Sequence, residues 1–261
     1  MDKEFYNNLQ NKNEKTNNII DLLSAKFPDI PKRYVEQVKI HYANDKRKIQ
    51  EIEKEITNQA HKLSLMEKLV SQNIDENIIK NSVLLIGPMG TGKSTLSKMI
   101  STNLQMPRIS LDNREQLKSF YDKRNYFNDF KDFEFYLTCS ILTNLTEPSV
   151  IDFGAGHSVY ENPIMFFEFQ KLISKFSNVV YIIPSENKEE SIQILNDRLT
   201  SRNVSLKELN DNKHFISMPC NEQLATITLY TKNKNPEQTC EELMRKIERN
   251  NTEKLTHRQR L

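Results

Sequence analysis

The sequence predicts an α/β domain, in which helices cover both faces of a parallel sheet, preceded by a helical extension. Three observations predict it. Short apolar runs alternate with amphipathic stretches after Asn81, a heptad pattern of apolar residues precedes them, and all five glycines follow directly on two of the apolar runs. Strand and helix patterns that alternate at this spacing are typical of parallel sheets, because every parallel connection must cross back over the sheet.

The apolar runs and amphipathic stretches give the order of the elements. Strands are predicted at 82–86, 108–111, 149–153, 178–183 and 226–231. Helices are predicted at 93–104, 113–123, 130–145, 162–176, 189–202 and 236–249. The polar segment 203–213 has no strong periodicity and is predicted to be a mobile connection. These elements form the predicted domain at 77–261.

Residues 1–76 are predicted to form a separate helical extension. From residue 35 to residue 70, apolar side chains recur at alternating steps of three and four, which is a heptad seam on one long helix. A shorter helix is predicted at 3–26. The pattern fits a hairpin folded back on itself or on the main domain, a homodimer formed through the helix at 32–72, or contact with a partner protein.

Composition narrows the functional classes. The chain has 37 basic and 35 acidic residues, a net charge of +2, so no overall field favours nucleic acid or an anionic membrane. No apolar run approaches the roughly 18 residues needed to span a bilayer, and the N-terminus lacks a signal pattern. We therefore expect a cytoplasmic protein. The cysteines lack the spacing of a zinc site or a disulfide framework: Cys139, Cys220 and Cys240.

The first glycine cluster fits the pattern of a phosphate-binding loop, Gly87-x-x-x-x-Gly92-Lys93-Ser94, between a predicted strand and a predicted helix. Glycines let backbone N–H groups line a concave nest, and the helix N-terminus adds partial positive charge. We expect Lys93 to contact the β- and γ-phosphates of ATP, Ser94 to coordinate Mg²⁺ and Thr95 to reach the α-phosphate. The predicted nucleotide-binding residues are Gly87, Pro88, Met89, Gly90, Thr91, Gly92, Lys93, Ser94 and Thr95.

The second glycine cluster follows the strand VIDF. In open parallel sheets, ligands bind at the carboxyl ends of the strands, where both clusters are predicted to lie. Asp152 is expected to hold Mg²⁺ or a water bound to it, the alternative being a turn carboxylate. Gly154 and Gly156 would let an acceptor approach the backbone, and His157 would donate to a phosphate or to the acceptor. Ordinary turn glycines and a structural histidine are the alternatives.

Four further charged residues are candidates for catalysis or binding. Asp112 follows the second strand, where a carboxylate can orient an acceptor hydroxyl and take its proton, or cap the next helix. Arg114 would hold an anionic acceptor or lie in solvent. Arg198 and Arg202, four residues apart on one predicted helical face, would stabilise transferring phosphate or be solvated.

These features resemble the shikimate-kinase-like and adenylate-kinase-like group of P-loop kinases over about residues 82–249. The resemblance rests on LLIGPMGTGKST, SLD, VIDFGAGHSVYE, NVVYIIPS, NDRLTSR and LYTKNKNPEQTCEEL. It implies a five-stranded parallel sheet of order 2-3-1-4-5, with ATP and Mg²⁺ as cofactors. An acceptor region would follow strand two, a lid would follow strand four, and residues 231–236 would lie against adenine.

The sequence also departs from shikimate kinases. That group carries three consecutive glycines where this chain has Gly154-Ala155-Gly156, and an acceptor-anchoring arginine for which Arg114 and Arg124 are candidates. The function expected is transfer of the γ-phosphate of ATP to a small acceptor, shikimate-like or nucleoside- or nucleotide-like. The alternatives are a zeta-like toxin kinase and an ATPase switch whose coiled coil binds a partner protein.

Overall fold

The computed structural model describes residues 68–113, 117 and 130–258. The predicted helix at 3–26, most of the predicted helix at 113–123 and most of the heptad seam lie outside these residues. Contacts divide the chain into two units. The larger comprises 72–161 and 169–261 and contains the sheet. The smaller comprises 1–71 and 162–168; within it, the Ser71 hydroxyl donates to the Lys68 carbonyl at 3.1 Å.

Five parallel strands form one sheet, and their order confirms the predicted 2-3-1-4-5 arrangement. The order is β2-β3-β1-β4-β5. The strands are β1 (Val83–Ile86), β2 (Arg108–Ser110), β3 (Val150–Asp152), β4 (Asn178–Ile183) and β5 (Ile227–Tyr230). Each lies within one residue of its prediction at both ends. The carboxyl ends of β1 and β3 are neighbours, so the two glycine clusters lie side by side.

The helices also follow the predicted order, apart from an additional helix at 206–217 and three smaller differences. They are α1 (Glu76–Asn81), α2 (Lys93–Leu104), α3 (Phe130–Thr143), α4 (Pro163–Ile173), α5 (Lys188–Thr200), α6 (Leu206–Ser217), α7 (Cys220–Leu224) and α8 (Pro236–Arg258). The short helices α1 and α7 were not predicted, and α8 continues nine residues beyond the predicted end at 249. None of the described helices is long and apolar enough to cross a membrane.

The prediction of an irregular connection at 203–213 is wrong, because most of it belongs to α6. Ser205 and Glu208 form a capping box at the start of that helix, each side chain bonding the backbone N–H of the other residue. Only two of its residues are buried, Asn212 and Ile216. Since one of the two is polar, the helix shows no apolar stripe in the sequence.

Apolar residues from both faces of the sheet build the core. All four residues of β1 are buried, as expected for a central parallel strand covered on both sides. Leu85 packs on the face covered by α2 and α8, with Leu96, Ile100 and Leu243 among its neighbours in that cluster. This rigid strand carries the phosphate-binding loop at its carboxyl end.

Replacing Leu85 by alanine should destabilise the chain by about 2–5 kcal/mol, because the packed neighbours cannot fill the resulting cavity. Leu206→Ala is the matched control, since that leucine is 80% exposed and should change the free energy of unfolding by less than about 0.5 kcal/mol. Urea denaturation of the full chain measures both. Equal midpoints for the two variants would contradict this packing.

Candidate active site

The phosphate-binding loop adopts a conformation that its glycines make accessible. Gly87, Gly90 and Gly92 all have positive φ angles, of 137°, 82° and 92°. At Gly87, a Cβ atom would collide with the carbonyl oxygen of Ile182 in β4. The first glycine therefore lets the loop turn closely against the neighbouring strand.

Backbone carbonyls of the loop are held by side chains, which leaves its N–H groups available. The Lys93 ammonium donates to the carbonyls of Gly87 at 2.7 Å and Pro88 at 2.9 Å. The Thr91 hydroxyl also donates to Pro88, at 3.0 Å. Among the described residues, no acceptor bonds the N–H groups of residues 90–94. This run of donors at the start of α2 has the properties of an anion-binding nest.

Lys93 is a buried cation. Burial lowers its pKa from 10.5 to about 8, and the carboxylates of Asp152 and Asp112 offset part of that effect. The ammonium is thus mainly protonated at pH 7 and positioned beside the loop N–H groups. A phosphate bound here would favour the protonated form further, since an opposite charge raises the pKa of a lysine.

Asp152 lies at the end of β3 with its two oxygens in different environments. Arg108 Nη2 donates to Oδ2 at 2.7 Å, and the Ser97 hydroxyl donates to the same oxygen at 3.2 Å. Arg108 Nε in turn donates to Ser97 Oγ at 2.6 Å. Oδ1 is buried and has no hydrogen-bond partner within the described parts of the chain. The sequence had not indicated Arg108 or Ser97, because both are far from Asp152 in the sequence and contact it only in the folded chain.

The residues present fit a divalent cation. Mg²⁺ prefers carboxylate oxygens as ligands. Asp152 is 1% exposed, and its Oδ1 atom has no hydrogen-bond partner among the described residues. Ser94, the second residue of α2, is exposed at the mouth of the loop. Ser94 and Asp152 are therefore the residues that would hold Mg²⁺ here.

A pocket of about 360 Å³ begins at the phosphate-binding loop and extends to the segment after β5. It is lined by Gly90, Thr91, Gly92, Thr95, Leu96, Arg198, Arg202, Thr231, Lys234, Pro236 and Thr239. The buried Thr231 hydroxyl has no partner among the described residues. A pocket of this size that starts at a phosphate nest suits the nucleoside part of a nucleotide.

The two candidate arginines line this same pocket but differ in their placement. Arg198, in the last turn of α5, donates from Nη1 to the carbonyl of Gly90 at 3.3 Å. Arg202 is exposed and lies two residues beyond the end of α5 at Thr200, so the two do not share one regular helical face. Both guanidinium groups nevertheless border the loop that would hold phosphate.

Asp112 comes close to the second glycine cluster. Its Oδ1 atom lies so close to Gly154 that a Cβ atom there would displace the Asp112 side chain. Asp112 is exposed, and its carboxylate raises the pKa values of both Lys93 and His157. The carboxylate thus lies at the edge shared by the phosphate-binding loop and the second cluster.

His157 is buried and neutral at pH 7. Burial lowers its pKa from 6.5 to about 4, although Asp112 acts in the opposite direction. Its Nε2 lies 3.4 Å from Glu134 Oε1 and its Nδ1 lies 3.4 Å from Thr138 Oγ1. A neutral ring with these neighbours can donate or accept one hydrogen bond but does not supply positive charge.

Lys131 is a cation beside the second cluster that sequence reasoning missed. Its ammonium donates to the Gly156 carbonyl at 2.7 Å and pairs with Glu134 Oε2 at 2.6 Å. The same nitrogen lies 5.5 Å from the ring centre of Tyr160 and 5.8 Å from that of Phe215. A lysine three residues before a glutamate at the start of a helix was the available signal. Arg114 and Arg124 lie outside the described residues.

Nucleotide affinity should fall as pH rises above about 8, because Lys93 then loses the charge that attracts phosphate. The affinity for ATP should be nearly constant from pH 6.5 to 7.5 and decline toward a limit of tenfold per pH unit at higher pH. Titration calorimetry across this range measures it. Lys93→Arg is the control, since a guanidinium stays protonated throughout. The same decline in that variant would contradict the assignment to Lys93.

The chain is similar to known shikimate kinases. The shikimate kinase family model matches residues 89–248. The shikimate kinase of Dehalococcoides mccartyi is 30% identical over 172 residues, covering 63% of this chain and 92% of that protein. The shikimate kinase of Enterococcus faecalis is 23% identical over 176 residues, covering 64% and 98%. The shikimate kinase structure from Aquifex aeolicus is 22% identical, with a TM-score of 0.45, and covers 65% and 97%. This chain belongs to the shikimate kinase family and is an ATP-dependent phosphotransferase that uses Mg²⁺.

Proposed function

We propose that the chain transfers the γ-phosphate of ATP to a hydroxyl group of a small hydroxylated carboxylic acid of the shikimate class. The observation that carries this proposal is the position of Asp112 beside Gly154, at the edge shared with the phosphate-binding loop. The relatives named above are shikimate kinases, which favours the same acceptor class.

The donor half of the site would bind the triphosphate. The nest N–H groups and the Lys93 ammonium contact phosphate oxygens, and the pocket that extends to the segment after β5 takes the rest of ATP. Ser94 and Asp152 hold Mg²⁺, which when bound neutralises charge on the β- and γ-phosphates. Arg198 and Arg202, on the pocket wall, add positive charge beside the same groups.

The acceptor half would position and deprotonate the hydroxyl. Asp112 accepts a hydrogen bond from the hydroxyl and takes its proton as the oxygen forms a bond to the γ-phosphorus. The bond between that phosphorus and the β,γ-bridging oxygen breaks, and ADP leaves with the electron pair. Gly154 and Gly156 leave room for the acceptor, whereas both ring nitrogens of His157 already face Glu134 and Thr138.

Lys131 would favour an acid over a neutral acceptor. Its ammonium lies beside Gly156 with Glu134 on one side and the Tyr160 and Phe215 rings nearby. Aromatic rings next to a cation suit a small cyclic acid, whose carbon skeleton can contact the rings while its carboxylate meets the ammonium. Arg114, from the segment after β2, remains a second candidate for that carboxylate.

An acceptor screen tests this proposal directly. The full chain is incubated with Mg²⁺ and ATP and either shikimate, gluconate, a nucleoside, or no acceptor, with ADP and the phosphorylated product quantified by ³¹P NMR. We expect ADP to form fastest with shikimate, and Lys93→Ala to give only background. Phosphorylation of the nucleoside alone would replace the acid with a nucleoside-type acceptor. Equal ADP release without any acceptor would instead favour the ATPase switch.

Asp112→Asn should lower kcat by about 10²- to 10⁴-fold, because the amide cannot take the hydroxyl proton. ATP affinity should stay within about threefold, since Asp112 does not line the nucleotide pocket and Asp152 still offsets the burial of Lys93. Glu147→Gln is the control, because Glu147 is an exposed carboxylate that lies outside the loop after β2. Steady-state kinetics with the acceptor found in the screen measures kcat. An unchanged kcat in Asp112→Asn would remove this residue from the mechanism.

A further inference from the structure

Asn212 is the feature of α6 that the mechanism above does not use. It is 1% exposed, while Asn210 and His214 on the same helix are exposed. Burying a carboxamide is costly unless both its oxygen and its nitrogen form hydrogen bonds. The partners of Asn212 therefore show what the buried face of α6 is built to contact.

Both partners of Asn212 belong to one residue of the phosphate-binding loop. The N–H of Met89 donates to Asn212 Oδ1 at 2.6 Å, and Asn212 Nδ2 donates to the carbonyl of Met89 at 3.3 Å. The two residues are 123 positions apart in the sequence. The carboxamide thus pairs with the loop backbone in the way one strand residue pairs with another.

This pairing determines which way the next N–H group points. In a trans peptide the C=O and the following N–H point in opposite directions, and the described chain has no cis peptide. Since Asn212 holds the Met89 carbonyl, the N–H of Gly90 points away from α6. Arg198 holds the Gly90 carbonyl in the same manner, so the N–H of Thr91 points away from Arg198.

We propose that Asn212 is a positioning residue for the phosphate nest. By holding the Met89 peptide group from outside the nest, it keeps the N–H of Gly90 directed at the site of the phosphates, without touching the nucleotide itself. This inference concerns ATP and ADP binding, and it holds whichever acceptor the enzyme uses.

The first test compares Asn212→Ala with Asn210→Ala, an exposed asparagine of the same helix. Loss of two hydrogen bonds should weaken ADP binding by about 5- to 50-fold in Asn212→Ala and leave it unchanged in Asn210→Ala. Titration calorimetry measures the affinity, and thermal unfolding checks the fold. A residue that only ties down α6 would lower the unfolding temperature yet leave ADP affinity within twofold, and that result would overturn the proposal.

Kinetics separates a donor-side effect from a general loss. In Asn212→Ala, kcat/KM for ATP should fall by the same factor as ADP affinity, while KM for the acceptor stays within about twofold. An equal rise in both KM values would overturn the assignment to the phosphate nest.

In Asn212→Asp, the lost hydrogen bond to the Met89 carbonyl can be restored by lowering the pH. A carboxylate accepts from the Met89 N–H but cannot donate to the Met89 carbonyl, whereas a protonated carboxyl group does both. The ratio of its ADP affinity to that of the unaltered chain should therefore rise as pH falls from 7 to 5. The ratio for Asn212→Ala should stay flat, because Lys93 and the other ionisable groups of the loop are common to all three proteins. A flat ratio for Asn212→Asp would count against the proposal.

A further measurement uses the unaltered chain and therefore does not depend on whether a variant folds. Without nucleotide, the amide proton of Met89 should exchange with solvent at least tenfold more slowly than those of Gly90 and Thr91, because of these three N–H groups only that of Met89 has an acceptor among the described residues. Amide exchange followed by NMR measures each proton. Equal exchange rates at Met89 and Gly90 would overturn the proposal.

Discussion

The buried ammonium of Lys93 is the interaction on which the rest of the site depends. A cation in this position loses hydration, which is why burial lowers its pKa to about 8. Two carboxylates, Asp152 and Asp112, and two loop carbonyls compensate it. To hold Lys93, the fold therefore needs one carboxylate after β2, a second at the end of β3, and a loop that can turn its carbonyls toward α2.

Asp152 lies in the core, and among the described residues the fold supplies a hydrogen-bond partner for one of its oxygens only. Arg108 and Ser97 both bond Oδ2, which leaves Oδ1 available. A buried carboxylate with no counter-charge would be far less stable. The pairing with Arg108 therefore keeps Asp152 in place while one oxygen stays free to bind a metal ion.

The donor half of the molecule was predictable from sequence because short-range patterns encode it. The loop motif, the apolar strand before it and the helix after it are contiguous, and the sheet order followed from the family that these motifs resemble. α6 was not predictable in this way, since one of its two buried positions carries Asn212 rather than an apolar residue. Its capping box at Ser205 and Glu208 was the only local signal. Partners such as Arg108 with Asp152, or Asn212 with Met89, are too far apart in the sequence for any local pattern to pair them.

The residues around the second glycine cluster were harder to predict from the sequence. The family resemblance implied an arginine after β2 that anchors the acceptor. The cation beside Gly156 is instead Lys131, which is paired with Glu134. Phe215 from α6 lies near the same ammonium, and Asn212, three residues earlier on that helix, holds Met89. Because residues three apart lie on the same side of a helix, one face of α6 contacts both the phosphate-binding loop and the surroundings of the second glycine cluster. A helix in that position links the two halves of the site: Asn212 holds the phosphate-binding loop, and Phe215 lies beside the ammonium that is proposed to meet the acceptor.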